Sequence, residues 1–232
     1  MIFRKFCLIS LFFCGFLPLL YTDTYSGSSR DEAVIVRAPV WVFLEPQPGV
    51  MEELDVPRKL PPRQALAALS AQVLQGMTYG WTFSYTPFDK KRNVAEEFGL
   101  NPVHPLSPDD RRLHITELRP QYPYLYCWAE YRITDAMALR QQHWIRSTYV
   151  TAKGSGSGKR RDGTEGVQQA YTAAALDAVR SYLRKNEKNK PKYVSGEMLI
   201  KDNPRLYAAH GTFTVELTVY LYIKEIVPYT VF

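Results

Sequence analysis

Residues 206–227 read LYAAHGTFTVELTVYLYIKEIV, and from Thr212 to Ile223 apolar and polar side chains alternate without a break. Phe213, Val215, Leu217, Val219, Leu221 and Ile223 fall on one side of an extended chain. Thr212, Thr214, Glu216, Thr218, Tyr220 and Tyr222 fall on the other, the period-two pattern of a strand with one buried face. The spacing predicts one long strand over 206–227, with Gly211 as a bulge that lets it bend. A second strand is expected over 194–201, joined to the first by the turn Asp202-Asn203-Pro204-Arg205. Before the basic break at 186–192, Val167, Tyr171, Ala174, Ala178, Tyr182 and Leu183 recur at three- and four-residue intervals, so a helix capped by Thr164 should run to about Arg184.

Working outward, the same two periods organise the rest. Residues 34–44 (VIVRAPVWVFL) predict a strand whose Pro39 places it at an edge or at a bulge. After a proline-rich stretch, Pro62 opens a helix over 63–77 with Leu66, Leu69, Val73 and Met77 on one face and Gly76 marking its C-terminal end. Alternation over 79–88 predicts a strand, residues 92–100 a short helix with Asn93 as cap and Gly99 as stop, and 101–110 a loop. Residues 113–118 and 122–133 predict two more strands. On the longer one Leu125, Cys127, Ala129, Tyr131 and Ile133 share a face opposite Tyr124, Tyr126, Trp128 and Glu130. Residues 135–142 fit either helical turns or a connection, and strand composition resumes over 143–152. The expected fold is α+β: a mainly antiparallel twisted sheet with two principal helices packed on one face.

The N-terminus bears on compartment. Arg4 and Lys5 precede an uncharged apolar run, FCLISLFFCGFLPLL at 6–20, the layout of an export signal ending near Ser26. The run is short for a membrane span and contains Pro18, so cleavage is expected, with an uncleaved N-terminal anchor as the alternative. The mature chain, residues 27–232, is read as a single domain of the periplasm or outer cell envelope. It keeps Cys127 alone of the three cysteines and so has no internal disulfide; a hydrophobic core must hold it together. Cys127 itself reads as a small buried hydrophobe.

Motifs carry little chemistry. The stretch AKGSGSGKRRDGTEG at 152–166 resembles a phosphate-binding loop only superficially, since Lys153 stands where the first glycine belongs and Arg160 where the hydroxyl does. Its composition predicts a flexible Gly/Ser loop over 153–163. The four histidines are scattered, Asp109-Asp110 beside Arg111-Arg112 reads as a solvated charge cluster, and no catalytic residue, metal site or cofactor is expected. Removing residues 1–26 takes Arg4, Lys5 and Asp23 from 29 basic and 23 acidic residues, which leaves a moderate excess of +5. Without a recognition module, that charge makes nucleic acid an unexpected partner.

Aromatic and basic surface is what stands out. Sixteen tyrosines and four tryptophans are placed in alternation on strands. Tyr124, Tyr126 and Trp128, or Tyr220 and Tyr222, form ladders able to stack on sugar rings or to bury in a protein interface. Lys159, Arg160, Arg161, Arg184 and Lys185 are candidate basic contacts, to an anionic membrane surface among others. The function expected is a non-catalytic interaction or assembly module whose partner is another envelope protein or a wall component. Two alternatives are an exported enzyme acting on cell-wall or glycan material and a small outer-membrane barrel, the latter suggested by the alternating last strand and terminal Phe232.

Overall fold

The computed structural model describes residues 34–45 and 60–229. The export signal, the lead-in to residue 33 and Phe232 lie outside the described residues. In chain order the elements are β1 (Ile35–Phe43), α1 (Pro62–Thr78), β2 (Trp81–Thr86), β3 (Glu97–Pro102), β4 (Leu113–Gln121), β5 (Tyr124–Arg132), α2 (Asp135–Arg146), β6 (Val150–Lys159), α3 (Thr164–Asn186), β7 (Tyr193–Ile200), β8 (Arg205–Ala209) and β9 (Thr212–Val227). All strand pairs are antiparallel. A three-stranded sheet has the order β1-β5-β4, and a six-stranded sheet runs β3-β2-β7-β9-β6 with β8 also paired to β9. The fold is α+β.

Register explains why the large sheet has one apolar face. Trp81 lies opposite Met198, Phe83 opposite Gly196 and Tyr85 opposite Val194, while Met198 and Ile200 pair with Leu221 and Val219. On the other edge of β9, Gly154, Gly156 and Gly158 face Leu217, Val215 and Phe213. Phe213, Val215, Leu217, Val219 and Leu221 are all buried, as the alternation of the last strand predicts. Both long helices lie over this face: α3 covers β6 and β9, and α1 packs on β7 and on the inner side of β1 and β5. There Val36, Ala38, Val40 and Val42 meet Leu125, Cys127, Ala129 and Tyr131.

Several expectations are corrected. The segment 206–227 is a hairpin, not one strand: His210 (φ 50°) and Gly211 (φ 75°) form a two-residue turn, and Ala209 pairs directly with Thr212. Two successive positive-φ residues make the turn whose twist suits a hairpin. The bulge of β9 lies further on, at Lys224, where the register against β7 shifts between Ser195 and Gly196. Residues 92–100 are not a helix; Asp89 and Val94 bridge a tight turn with Asn93 at φ 52°, and the chain then enters β3. Residues 135–142 belong to a helix that continues to Arg146, so strand structure resumes only at Val150. Gly76 does not end α1, which continues to Thr78. The positive-φ residue past its end is Gly80, whose N–H donates to Gln75 O at 3.0 Å. The small-barrel alternative gives way to two open sheets under helices.

The largest correction concerns the flexible loop expected over 153–163. Residues 150–159 are β6, and Arg160–Asp162 form a single 3-10 turn leading into α3. A Cβ built on Gly154 would stand 2.5 Å from Ala178 N, one on Gly156 2.5 Å from Ala170 O and closer still to Ala174 N, and one on Gly158 2.8 Å from Gly166 C. The glycines of β6 therefore let the backbone of α3 rest almost on the strand. Gly166, Ala170, Ala174 and Ala178, four residues apart, supply the matching narrow face of the helix and are all buried. β6 ends the large sheet. On its outward side the backbone N–H of Ser155 donates to Asp177 Oδ2 at 3.1 Å.

Candidate functional site

The β1–β5 register places Phe43 opposite Tyr124, Trp41 opposite Tyr126 and Pro39 opposite Trp128. These side chains share one side of the small sheet, since Val40, Val42, Leu125 and Cys127 occupy the other. Ring contacts run along it. Tyr126 lies 5.5 Å from Tyr124, which stacks on Phe43 at 5.1 Å and meets Trp41 edge-on at 4.9 Å. Trp41 and Phe43 in turn contact Phe213 of the large sheet at 6.4 and 5.9 Å. The indole N–H of Trp41 donates to Leu206 O at 3.0 Å, which ties the two sheets together at this end. A guanidinium sits over each end of the strip, Arg37 at 4.2 Å from the Trp128 ring and Arg160 at 4.4 Å from Phe43.

The strip ends in a pocket of about 290 Å³ between the starts of α1 and α3. Trp41, Phe43, Phe213, Ala65, Leu69 and Val167 give it an apolar lining. Around them stand Gln72 and Gln168, Arg160 and Arg161, and the carboxylates of Glu45, Asp162 and Glu165. The size is at the lower end of ordinary ligand sites.

Of the residues singled out in the sequence, Tyr124, Tyr126 and Trp128 belong to this strip, all half-buried. Arg160 and Arg161 stand at the pocket, and Lys159 closes β6 just before them. The others lie elsewhere. Tyr220 and Tyr222 are on the outer face of the large sheet, Tyr220 under Lys201 at 5.6 Å and Tyr222 against Tyr149 at 5.2 Å. Arg184 and Lys185 are at the far end of α3, roughly 30 Å from its start at Thr164 at 1.5 Å per helical residue. Arg184 there reaches Asp177 at 3.4 Å. Trp41, Phe43, Phe213, Gln72 and Gln168 were not singled out as site residues. The outward phase of Arg37, Pro39, Trp41 and Phe43 on β1 was a readable signal for the first two; the pocket needs the three-dimensional meeting of both sheets.

Other polar groups are committed to structure. Asp110 takes N–H donation from Arg112, at 3.2 Å to its side chain, and this holds its carboxyl below the ordinary carboxylate range. The hydroxyl of Tyr131 donates to Asp110 at 3.3 Å and lies 3.3 Å from that of Tyr79; burial pushes its ionisation well up, so it remains a neutral hydrogen-bonding group. Burial also pushes the Cys127 thiol up to about 11. Among the described residues no group of three or more His, Cys, Asp or Glu is placed to hold a metal ion. No described helix is long and apolar enough to cross a membrane.

A protein-family model matches residues 24–229. An uncharacterized protein of Treponema pallidum (strain Nichols) is 41% identical over 218 residues, which are 94% of this chain and 92% of the relative. No solved structure matches. With both matches spanning nearly the whole chain, the protein belongs to the family of that Treponema pallidum protein.

Proposed function

We propose that this is an exported, non-catalytic interaction module of the cell envelope, and that its contact surface is the aromatic strip of the small sheet together with the pocket in which it ends. The observation carrying this reading is the run of rings from Tyr126 through Tyr124, Phe43 and Trp41 to Phe213. Half-buried tyrosine and tryptophan side chains with polar tips and a neighbouring cavity are the composition of energetic centres in protein interfaces. Export is supported by the apolar run at 6–20 behind Arg4 and Lys5.

Two measurements test the reading. Fractionation followed by N-terminal sequencing should recover a chain beginning near Gly27 or Ser29 outside the cytoplasm; recovery in the cytoplasm with Met1 intact refutes export. A photo-crosslinking residue at Tyr126 should capture an envelope component in cells, whereas the same residue at Tyr220 should not. Equal capture from both positions would remove the strip as the contact surface.

A further inference from the structure

Resting on that reading, we infer that the pocket is an anchor site for one large apolar side chain, aromatic by preference, carried on an extended peptide segment of the partner. Its shape and chemistry point to this class of ligand. At about 290 Å³ it accommodates one or two bulky side chains, and Trp41, Phe43 and Phe213 give it an aromatic lining, Trp41 meeting Phe43 edge-on at 5.5 Å. Gln72 and Gln168 each carry an amide with both donor and acceptor, the hydrogen-bonding pattern of a peptide group. The charged lining has both signs, Arg160 and Arg161 against Glu45, Asp162 and Glu165, so no strong single-sign field selects an anionic headgroup. From this pocket the strip continues through Tyr124 and Tyr126, a surface along which the rest of an extended segment can lie.

The test uses the full mature chain, labelled for NMR, with the capped tripeptide acetyl-Ala-Phe-Ala-amide as probe and decanoate and tri-N-acetylchitotriose as contrasts. The tripeptide should shift the side-chain amide resonances of Gln72 and Gln168 and the indole N–H of Trp41 saturably. Ala68→Phe, which fills the pocket from α1 at a half-buried position, should weaken it at least tenfold. Gln72→Met and Gln168→Met should each weaken the tripeptide several-fold while leaving unchanged the binding of toluene, added as a purely apolar probe of the same pocket, a split that mere loss of packing would not produce. Saturation by decanoate or chitotriose in place of the tripeptide overturns the inference in favour of a lipid or a glycan. Indifference of tripeptide binding to both glutamine variants, or no shift with any probe, overturns it as well. Crosslinking at Tyr126 in cells keeps that failure distinct from failure of the interaction reading itself.

Discussion

Gly156→Ala adds a single methyl group to the strand that underlies α3. The new carbon would lie 2.5 Å from Ala170 O, about 0.9 Å inside ordinary van der Waals contact, and nearer still to Ala174 N. Both obstacles are backbone atoms of a 23-residue helix, so no rotamer change relieves them; α3 must lift from β6 or the strand must bow. Overpacking of this kind costs about 1–3 kcal/mol and more where backbone must move. Removing a glycine from a strand returns about 0.5–1 kcal/mol through the unfolded chain. Because the backbone must move, the cost lies at or above the upper end of that range, and we expect a net loss of about 2 kcal/mol or more, read by urea unfolding with circular dichroism. Ser157→Ala, one residue on and pointing to solvent, is the control and should stay within about 0.5 kcal/mol of the parent. Adding Ala174→Gly should not rescue Gly156→Ala, because the clash is with the nitrogen of residue 174 and not with its methyl group. Unchanged stability of Gly156→Ala, or rescue by Ala174→Gly, would refute the close approach of strand and helix.

Leu217→Ala should cost about 2–5 kcal/mol, since Leu217 is buried under α3. Thr218→Ala, on the outer face, should cost under about 1 kcal/mol in the same urea titration. Cys127 should resist alkylation by iodoacetamide at about pH 8 until the protein is unfolded, because it is buried and its thiol is held up to about 11; rapid native labelling would contradict that placement. Stability should fall on acidification. Asp89, bonded by the side chain of Arg92 at 2.7 Å and the N–H of Lys91, and Asp110, bonded by Arg112, both have carboxyls held below their ordinary range in the folded chain. Their contribution is complete above the unfolded value of about 3.9 and is lost as pH falls through the lower folded values. Asp89→Asn and Asp110→Asn should flatten that limb of a pH series of urea midpoints.

Strand and helix periodicity carried much of this fold in readable form. The buried faces of β5 and β9 follow from alternation alone, because each lies between a covered side and an open one. Pro39 likewise belongs to an edge strand, where its missing N–H costs no ladder bond. What escaped was information held jointly by two segments. Gly154, Gly156 and Gly158 look like a linker when taken alone; their period of two becomes meaningful only beside the four-residue spacing of Gly166, Ala170, Ala174 and Ala178. Residues 92–100 contain helix formers, yet pairing of Phe98 with Tyr85 and Leu100 with Phe83 on β2 outweighs local propensity. His210-Gly211 reads as strand in the sequence because the chain on both sides keeps a strand composition. At the site, Tyr124, Tyr126 and Trp128 were legible as an outward ladder, whereas the pocket depends on Phe213 arriving from the other sheet.

The contact between Asp177 and the N–H of Ser155 bears on how the protein behaves in crowded surroundings. β6 is a long, glycine-rich border strand with small side chains, a geometry that invites a second chain to zip alongside it. Asp177 occupies a donor in the middle of that border, and Lys153 and Lys159 flank it with repelling charge. A newcomer would have to evict the carboxylate before forming its central bonds. The same α3 that closes over the glycines thus also guards the seam they leave, and replacing Asp177 with alanine should raise concentration-dependent association through β6, read by light scattering.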